Sequence, residues 1–293
     1  MAAGLSIPVE DGVVRRRPGL RAWLVMLPLV LWLAAFVVLP SLMLVALSFA
    51  EQKGIGGIVF SGTFRHYARV FSEPVWAKVV GTSVWYAVLC TGLCLVLGYP
   101  VAWFIGRASP RRRDILITLV MIPFWTSFLI RTYAWITILG KEGPLNAFLM
   151  AARIIPEPLS LLYTPFASVL GLVYNFLPFM ILPIYASVEK LDGSLIDAAH
   201  DLGAGPLRAF ARVIIPLTAP GIGAGIMLVF VPSIAMFAIT TLMGGGSDPT
   251  IGEVIYKQFT SGRNQPFGAA LGTILLVIFL VSLWITQKLR KSR

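Results

Sequence analysis

The chain has 293 residues, of which 57% are hydrophobic and 13% charged, and its formal net charge is +11. A water-soluble domain carries about 25% charged residues, so too few charges remain here to cover a globule in water. The 2 cysteines exclude a disulfide-stapled scaffold, and the 20 prolines follow no repeat. The positive balance would raise nucleic-acid binding in a soluble protein; where the charges sit decides against it.

Long apolar runs occur at Ala22–Phe49, Thr82–Ile105, Ile115–Leu139, Pro165–Val188, Gly221–Met243 and Phe267–Gln287. Each approaches the roughly 20 residues that cross about 30 Å of hydrocarbon as a helix. The first run is too long for a cleaved signal peptide, follows a polar segment and lacks a small-x-small cleavage site, so it reads as a retained helix. The expectation is an all-α membrane protein with six transmembrane helices. It divides into a tail at 1–21, a transmembrane domain at 22–287 with a long loop at 189–220, and a tail at 288–293.

With the N-terminus placed in the cytoplasm, 15 of the 24 Lys and Arg fall on that side. They are Arg15, Arg16, Arg17 and Arg21, then Arg107, Arg111, Arg112 and Arg113, then Lys190, Arg208 and Arg212, and finally Lys288, Arg290, Lys291 and Arg293. Eight fall on the opposite side and Arg131 lies within a span. This bias fits the positive-inside rule with both termini cytoplasmic. The charge is an orientation signal, and no nucleic-acid partner is expected.

Pro28, Pro40, Pro100, Pro123, Pro178, Pro183 and Pro232 lie inside or at the edges of the spans. Membrane bundles tolerate such kinks, which serve packing or line a path. No Asp or Glu falls within a span. Ion-coupled pumps generally need an intramembrane carboxylate, so an independent secondary transporter is disfavoured. His66 and His200 stand alone, and Cys90 and Cys94, one helical turn apart, read as small apolar fillers. With no metal cluster, no Walker-type glycine loop and no acid–base pair, the chain reads as neither an enzyme nor the holder of a cofactor.

The loop at 189–220 is too patterned to be a spacer. Ser194 followed by Asp197 predicts a capping box and a helix from near Leu195. Leu191, Leu195, Ala198, Ala199 and Leu202 fall on one predicted face, with Asp192, Asp197 and Asp201 off it. Gly203 suits the position just past the helix, and Gly205-Pro206 prevents continuation. A second amphipathic stretch, Leu207–Leu217, leads through Pro216 and Pro220 into the fifth span. Anionic headgroups would repel an acidic helix, so a protein partner is expected rather than a lipid surface. A scaffold that recruits such a partner is the competing reading.

Asp197-Ala198-Ala199, three residues, Gly203, nine residues and Val213-Ile214-Ile215-Pro216 together resemble the EAA-x3-G-x9-I-x-L-P motif of ABC importer permeases. Asp replaces Glu, Val replaces Ile and Ile replaces Leu. The resemblance implies a type I ABC importer permease fold. It also implies that residues 197–203 form a coupling helix docked on a cytoplasmic ATPase dimer, where ATP and Mg would be bound, with Asp197, Ala198, Ala199, Asp201, Gly203 and Pro216 as the ATPase-coupling residues. Leu97–Phe104, Ile122–Thr126 with Leu129–Arg131, Gly171–Tyr174 with Leu177–Met180, Leu242–Gly245 and Pro266–Gly268 look like the corresponding stretches of the B-type permeases of spermidine/putrescine importers. This implies a bacterial inner-membrane location, a second homologous permease subunit, a periplasmic solute-binding protein and a polyamine as the small-molecule solute. Amino-acid derivatives, opines, iron or thiamine-like solutes are the alternatives within the class.

Candidate path residues follow from the same frame. Arg131 lies 16 residues beyond Ile115, roughly 24 Å along a straight helix, where it would snorkel to the far headgroups or hold a contact at the mouth. The faces of Trp125, Tyr133 and Tyr174, with Asn175 beside them, could meet the ammonium groups of a polyamine. Of these, Trp125 and Asn175 are expected to sit deepest. Without a carboxylate in the spans, tight binding is expected in the binding protein and weak passage here.

Overall fold

The computed structural model describes residues 20–54, 57–246, 248–262 and 264–291. The charges of Arg15, Arg16, Arg17 and Arg293 therefore lie outside the described residues, as does most of the 1–21 tail.

The chain forms two units, 1–46 and 47–293. The first is a single apolar helix built of α1 (Leu20–Leu33), a π-helical stretch (Ala34–Val38) and α2 (Leu39–Ser48), the last crossing into the second unit. Pro40 lies two residues past the π-helical stretch. A proline has no N–H for the carbonyl four residues back and its ring crowds it, and the wider π turn accommodates both defects. Ser41 Oγ donates to the carbonyl of Val37 at 2.7 Å.

The second unit begins with an antiparallel hairpin, β1 (Ala50–Lys53) and β2 (Gly57–Phe60), with Ala50 opposite Phe60. There follow α3 (Arg65–Ser72), α4 (Pro74–Arg107), α5 (Pro110–Met121), a 3-10 turn (Ile122–Trp125), α6 (Phe128–Leu139), α7 (Pro144–Ala151) and α8 (Pro165–Glu189). Then come α9 (Gly193–Asp201), α10 (Pro206–Ala209), a π stretch (Phe210–Ile214), α11 (Ile215–Ala235), α12 (Ala238–Gly244), α13 (Ile251–Phe259) and α14 (Gln265–Lys291). Between spans, 51–81 and 244–266 thus hold ordered elements.

The core is a three-helix layer of α4, α8 and α11. Gly98 of α4 abuts Met180 and Ile181 of α8, and Gly106 abuts Val188, so α4 and α8 run parallel. Gly225 of α11 meets Met180 while Gly221 meets Pro183 and Ser187, so α11 runs the other way. A Cβ at Gly221 would collide with the Pro183 carbonyl and the Ser187 hydroxyl. Small residues let backbones approach closely where no hydrophobic force drives helices together. Cys90 and Cys94 are buried here with their Sγ atoms 4.0 Å apart, and Ser233 Oγ donates to Cys90 Sγ at 3.6 Å. They pack as small fillers between helices, and both are free.

Two spans depart from the expected continuous helices. The third breaks: Pro110–Trp125 and Phe128–Ala151 meet at 88°. Pro123 ends the regular ladder, and Ser127 starts a new helix by accepting from the N–H of Leu129. Among the described residues, five helices are long and apolar enough to cross a membrane, and the bent pair makes six if taken as one span. The straight-helix distance from Ile115 to Arg131 therefore does not apply. The fifth span begins well before Gly221, as one run over Pro206–Ala235, and α12 is a separate helix beyond Met236. Pro216 sits two residues past the second π stretch, in the same relation as Pro40 to the first.

Candidate functional site

The loop after α8 is organised by its ends. Asp192 caps α9, its carboxylate accepting from the N–H of Ser194 at 3.0 Å. This hydrogen bond holds Asp192 below the usual carboxylate range. The cap is therefore Asp192 and not the expected Ser194–Asp197 box, and α9 starts at Gly193. Two capping residues separated by one glycine compete here, and the one whose side chain reaches the free N–H sets the start.

The far end matches expectation. Gly203 has φ +80°, its N–H bonds the His200 carbonyl at 2.9 Å, and the Ala204 N–H bonds the Ala199 carbonyl at 3.0 Å. These two bonds satisfy carbonyls at the helix end, and the left-handed residue between them favours glycine. A Cβ at Gly203 would meet nothing within 4 Å. The requirement is conformational, not spatial. His200 Nδ1 adds a bond to the Ala204 carbonyl at 2.9 Å.

The predicted apolar stripe is divided. Ile196 and Ala199 are buried, whereas Leu195, Ala198 and Leu202 are exposed beside exposed Asp197 and Asp201. Leu202 is 88% exposed and Leu207, just past the turn, 82%. The loop thus presents an apolar tip flanked by carboxylates, a surface that lipid-free water would leave uncovered at a cost.

Two contacts that sequence reasoning missed brace this tip. Arg113 bonds Glu189 at the end of α8 at 2.6 Å and the Gly106 carbonyl at 3.2 Å. It ties the α4–α5 corner to the base of α9, although in the sequence it appears only as one loop charge among several. On the other flank, the Tyr99 hydroxyl meets Thr218 Oγ1 at 3.1 Å, and its ring lies edge-on to Phe210 at 5.5 Å. Thr218 Oγ1 in turn donates to the Ile214 carbonyl at 2.9 Å, inside the π stretch. Pro216, in the same segment, is exposed.

The candidate path residues are not gathered into one cavity. Trp125 lies at the break, where its side chain is 77% exposed. The Arg131 guanidinium folds back over the Phe124 ring at 5.5 Å, with Nε and Nη1 buried and without hydrogen-bond partners among the described residues. Phe124 packs edge-on against Phe179 at 5.0 Å. Tyr174 meets Trp135 at 5.5 Å, Tyr133 is exposed, and Asn175 is buried with Nδ2 donating to the Gly171 carbonyl of its own helix at 2.8 Å.

The sequence profile of the family described as binding-protein-dependent transport system inner membrane component matches residues 98–292. The chain belongs to this family: it is a permease subunit of the ABC importer class, a multi-pass inner-membrane transport protein and not an enzyme. It is 42% identical over 272 residues to the spermidine/putrescine transport system permease protein PotB of Salmonella typhimurium strain SL1344, covering 92% of this chain and 94% of the relative. It is 41% identical over 260 residues to PotB of Haemophilus influenzae, covering 89% and 91% of the two chains. Among solved structures, it is similar to a chain of a bacterial alginate ABC transporter in complex with an alginate pentasaccharide-bound periplasmic protein. There the TM-score is 0.69 at 20% identity, over 91% of this chain and 93% of that one. That likeness shows the fold.

Proposed function

We propose that the chain forms half of the translocation path of an ATP-driven polyamine importer, and that α9 with the Gly203 turn is its docking element for the ATPase. One observation carries the docking reading. The motif residues Asp197, Ala198, Ala199 and Asp201 lie on a short helix that ends in the left-handed turn at Gly203, with exposed Leu202 before that turn and exposed Leu207 after it. An apolar tip ringed by acids fits a protein cleft better than a headgroup layer. The Arg113–Glu189 pair ties α5 to the end of α8 just ahead of α9, and the Tyr99–Thr218 contact ties α4 to α11 just beyond it, which makes these flanking contacts the route by which a push on α9 would reach the bundle.

In this reading the α9 end of the bundle and both termini are cytoplasmic. ATP and Mg are bound by the ATPase dimer, a second homologous permease completes the path, and a periplasmic protein delivers the solute. The similarity to spermidine/putrescine permeases over nine-tenths of the chain supports a polyamine. The test is uptake of labelled spermidine into proteoliposomes holding this chain, the second permease and the ATPase, with loaded binding protein outside. Uptake is expected to require ATP and to vanish when the ATPase's Walker lysine is replaced. Uptake that survives that replacement would overturn the proposal.

A further inference from the structure

At the end of the bundle opposite α9, the N-terminal parts of α4 and α8 border an open cleft of about 680 Å³. Trp85, Tyr86 and Phe166 line it with Asp248 and Lys78. Tyr86 is buried, while Trp85 and Phe166 stay more than half exposed and face the opening. The helices on either side of Asp248 are anchored by hydrogen bonds. The Ile251 N–H donates to Ser83 Oγ at 2.7 Å, Ser83 Oγ donates to the Val79 carbonyl at 3.0 Å, and the Tyr163 N–H donates to the Met243 carbonyl at 2.8 Å. These bonds tie the two elements that flank Asp248, α12 through Met243 and α13 through Ile251, to the residues ahead of α8 and to α4. Among the described residues, Asp248 makes neither a hydrogen bond nor an ion pair, and no ion pair links it to Lys78.

We propose that this cleft is a receiving subsite for a primary ammonium group of the incoming solute, with Asp248 as its counter-ion and the rings of Trp85, Tyr86 and Phe166 around its methylene chain. A carboxylate beside several π faces is the chemistry that selects an alkylammonium. A phosphate headgroup would meet the Asp248 charge instead. Lys78 on the same cleft is a built-in competitor: its positive field weakens the hold on an arriving cation. That suits a station which must release what it receives. The sequence reading placed no carboxylate in the spans, and Asp248 supplies one just outside them, at the mouth. The subsite rests on the polyamine reading of the importer, and it adds where the solute first touches this chain.

Two measurements on the assembled importer separate the two ideas. The first is spermidine uptake together with the ATP consumed per solute moved. Asp248→Asn is expected to lower uptake roughly three- to tenfold, the scale of one partly screened charge contact, and to raise ATP consumed per spermidine. Asp248→Glu is expected to restore most of the uptake. Uptake unchanged in Asp248→Asn, or unrestored by Asp248→Glu, would overturn the subsite while leaving the importer reading intact. The second is tryptophan fluorescence of the importer in nanodiscs, titrated with spermidine without binding protein. A saturable change lost in both Trp85→Phe and Asp248→Asn is expected, and it reports on the cleft even if wild-type uptake of polyamine fails. No such change, or one that follows lipid composition and not spermidine, would contradict the proposal.

Discussion

Gly203 shows how one residue sets the form of the proposed docking element. Its φ of +80° lets the Gly203 and Ala204 amides close on the His200 and Ala199 carbonyls, and the chain then turns into Pro206. Space is not the constraint, since a side chain would meet nothing nearby. Replacement by valine, whose branched Cβ disfavours left-handed backbone, should cost about 1–2 kcal/mol at the turn. The expected outcome of Gly203→Val is a chain that inserts and extracts normally, faster amide exchange over 198–204, and ATP hydrolysis no longer coupled to transport. Wild-type coupling would show that the turn is dispensable. Arg131 carries the opposite lesson. Its position in the sequence left a headgroup contact or a contact at the mouth open, and in the broken span its guanidinium lies over the Phe124 ring. Side-chain direction follows the local helix axis, which the order of residues does not record.

At the scale of elements, α9 depends on a charge. The Asp192 carboxylate caps the helix and is held below its ordinary range by the Ser194 N–H. A group whose folded pKa is lowered stabilises above its unfolded value, about 3.9 for Asp, and loses that contribution as pH falls through the folded value. The capped state of α9 should therefore be constant at neutral pH and fray in acid below about pH 4. Asp192→Ala should fray at all pH values, as amide exchange at Ser194 and Leu195 would report. Equal protection in the variant and the parent would remove Asp192 from the cap. The end of α9 was legible because a glycine followed by Gly-Pro leaves few alternatives. Its start was not, because Asp192 and Ser194 are both good caps and only geometry chooses between them. The apolar run over 115–139 likewise concealed the 88° break, since hydropathy counts composition and not axis direction. Pro123 marked the place without fixing the angle. The same blindness merged 206–220 into a loop, where the π stretch lets the helix run on through Pro216 and Pro220.

Across the whole molecule, the scarcity of charge and the glycine contacts describe one design. Apolar helices pack through Gly98, Gly106, Gly221 and Gly225, and polar side chains buried among them, such as Asn175 and Ser233, bond backbone carbonyls of their own helices. One end of the bundle carries α9, braced by Arg113 and Tyr99; the other carries the hairpin, α3, α13 and the Asp248 cleft. Family membership and the overall helical class were within reach of the sequence, because motif spacing and apolar length survive without coordinates. The braces were not, because Arg113 and Glu189 stand 76 residues apart and Tyr99 and Thr218 stand 119 apart. The account turns on α9 docking against the ATPase, and a single cysteine at exposed Leu202 tests it most directly. Leu202→Cys in the assembled importer should cross-link to a cysteine scanned across the ATPase surface, and should be shielded from a thiol reagent added outside whole cells. An assembled, transporting complex in which Cys at 202 is labelled from outside and never cross-links to the ATPase would contradict it.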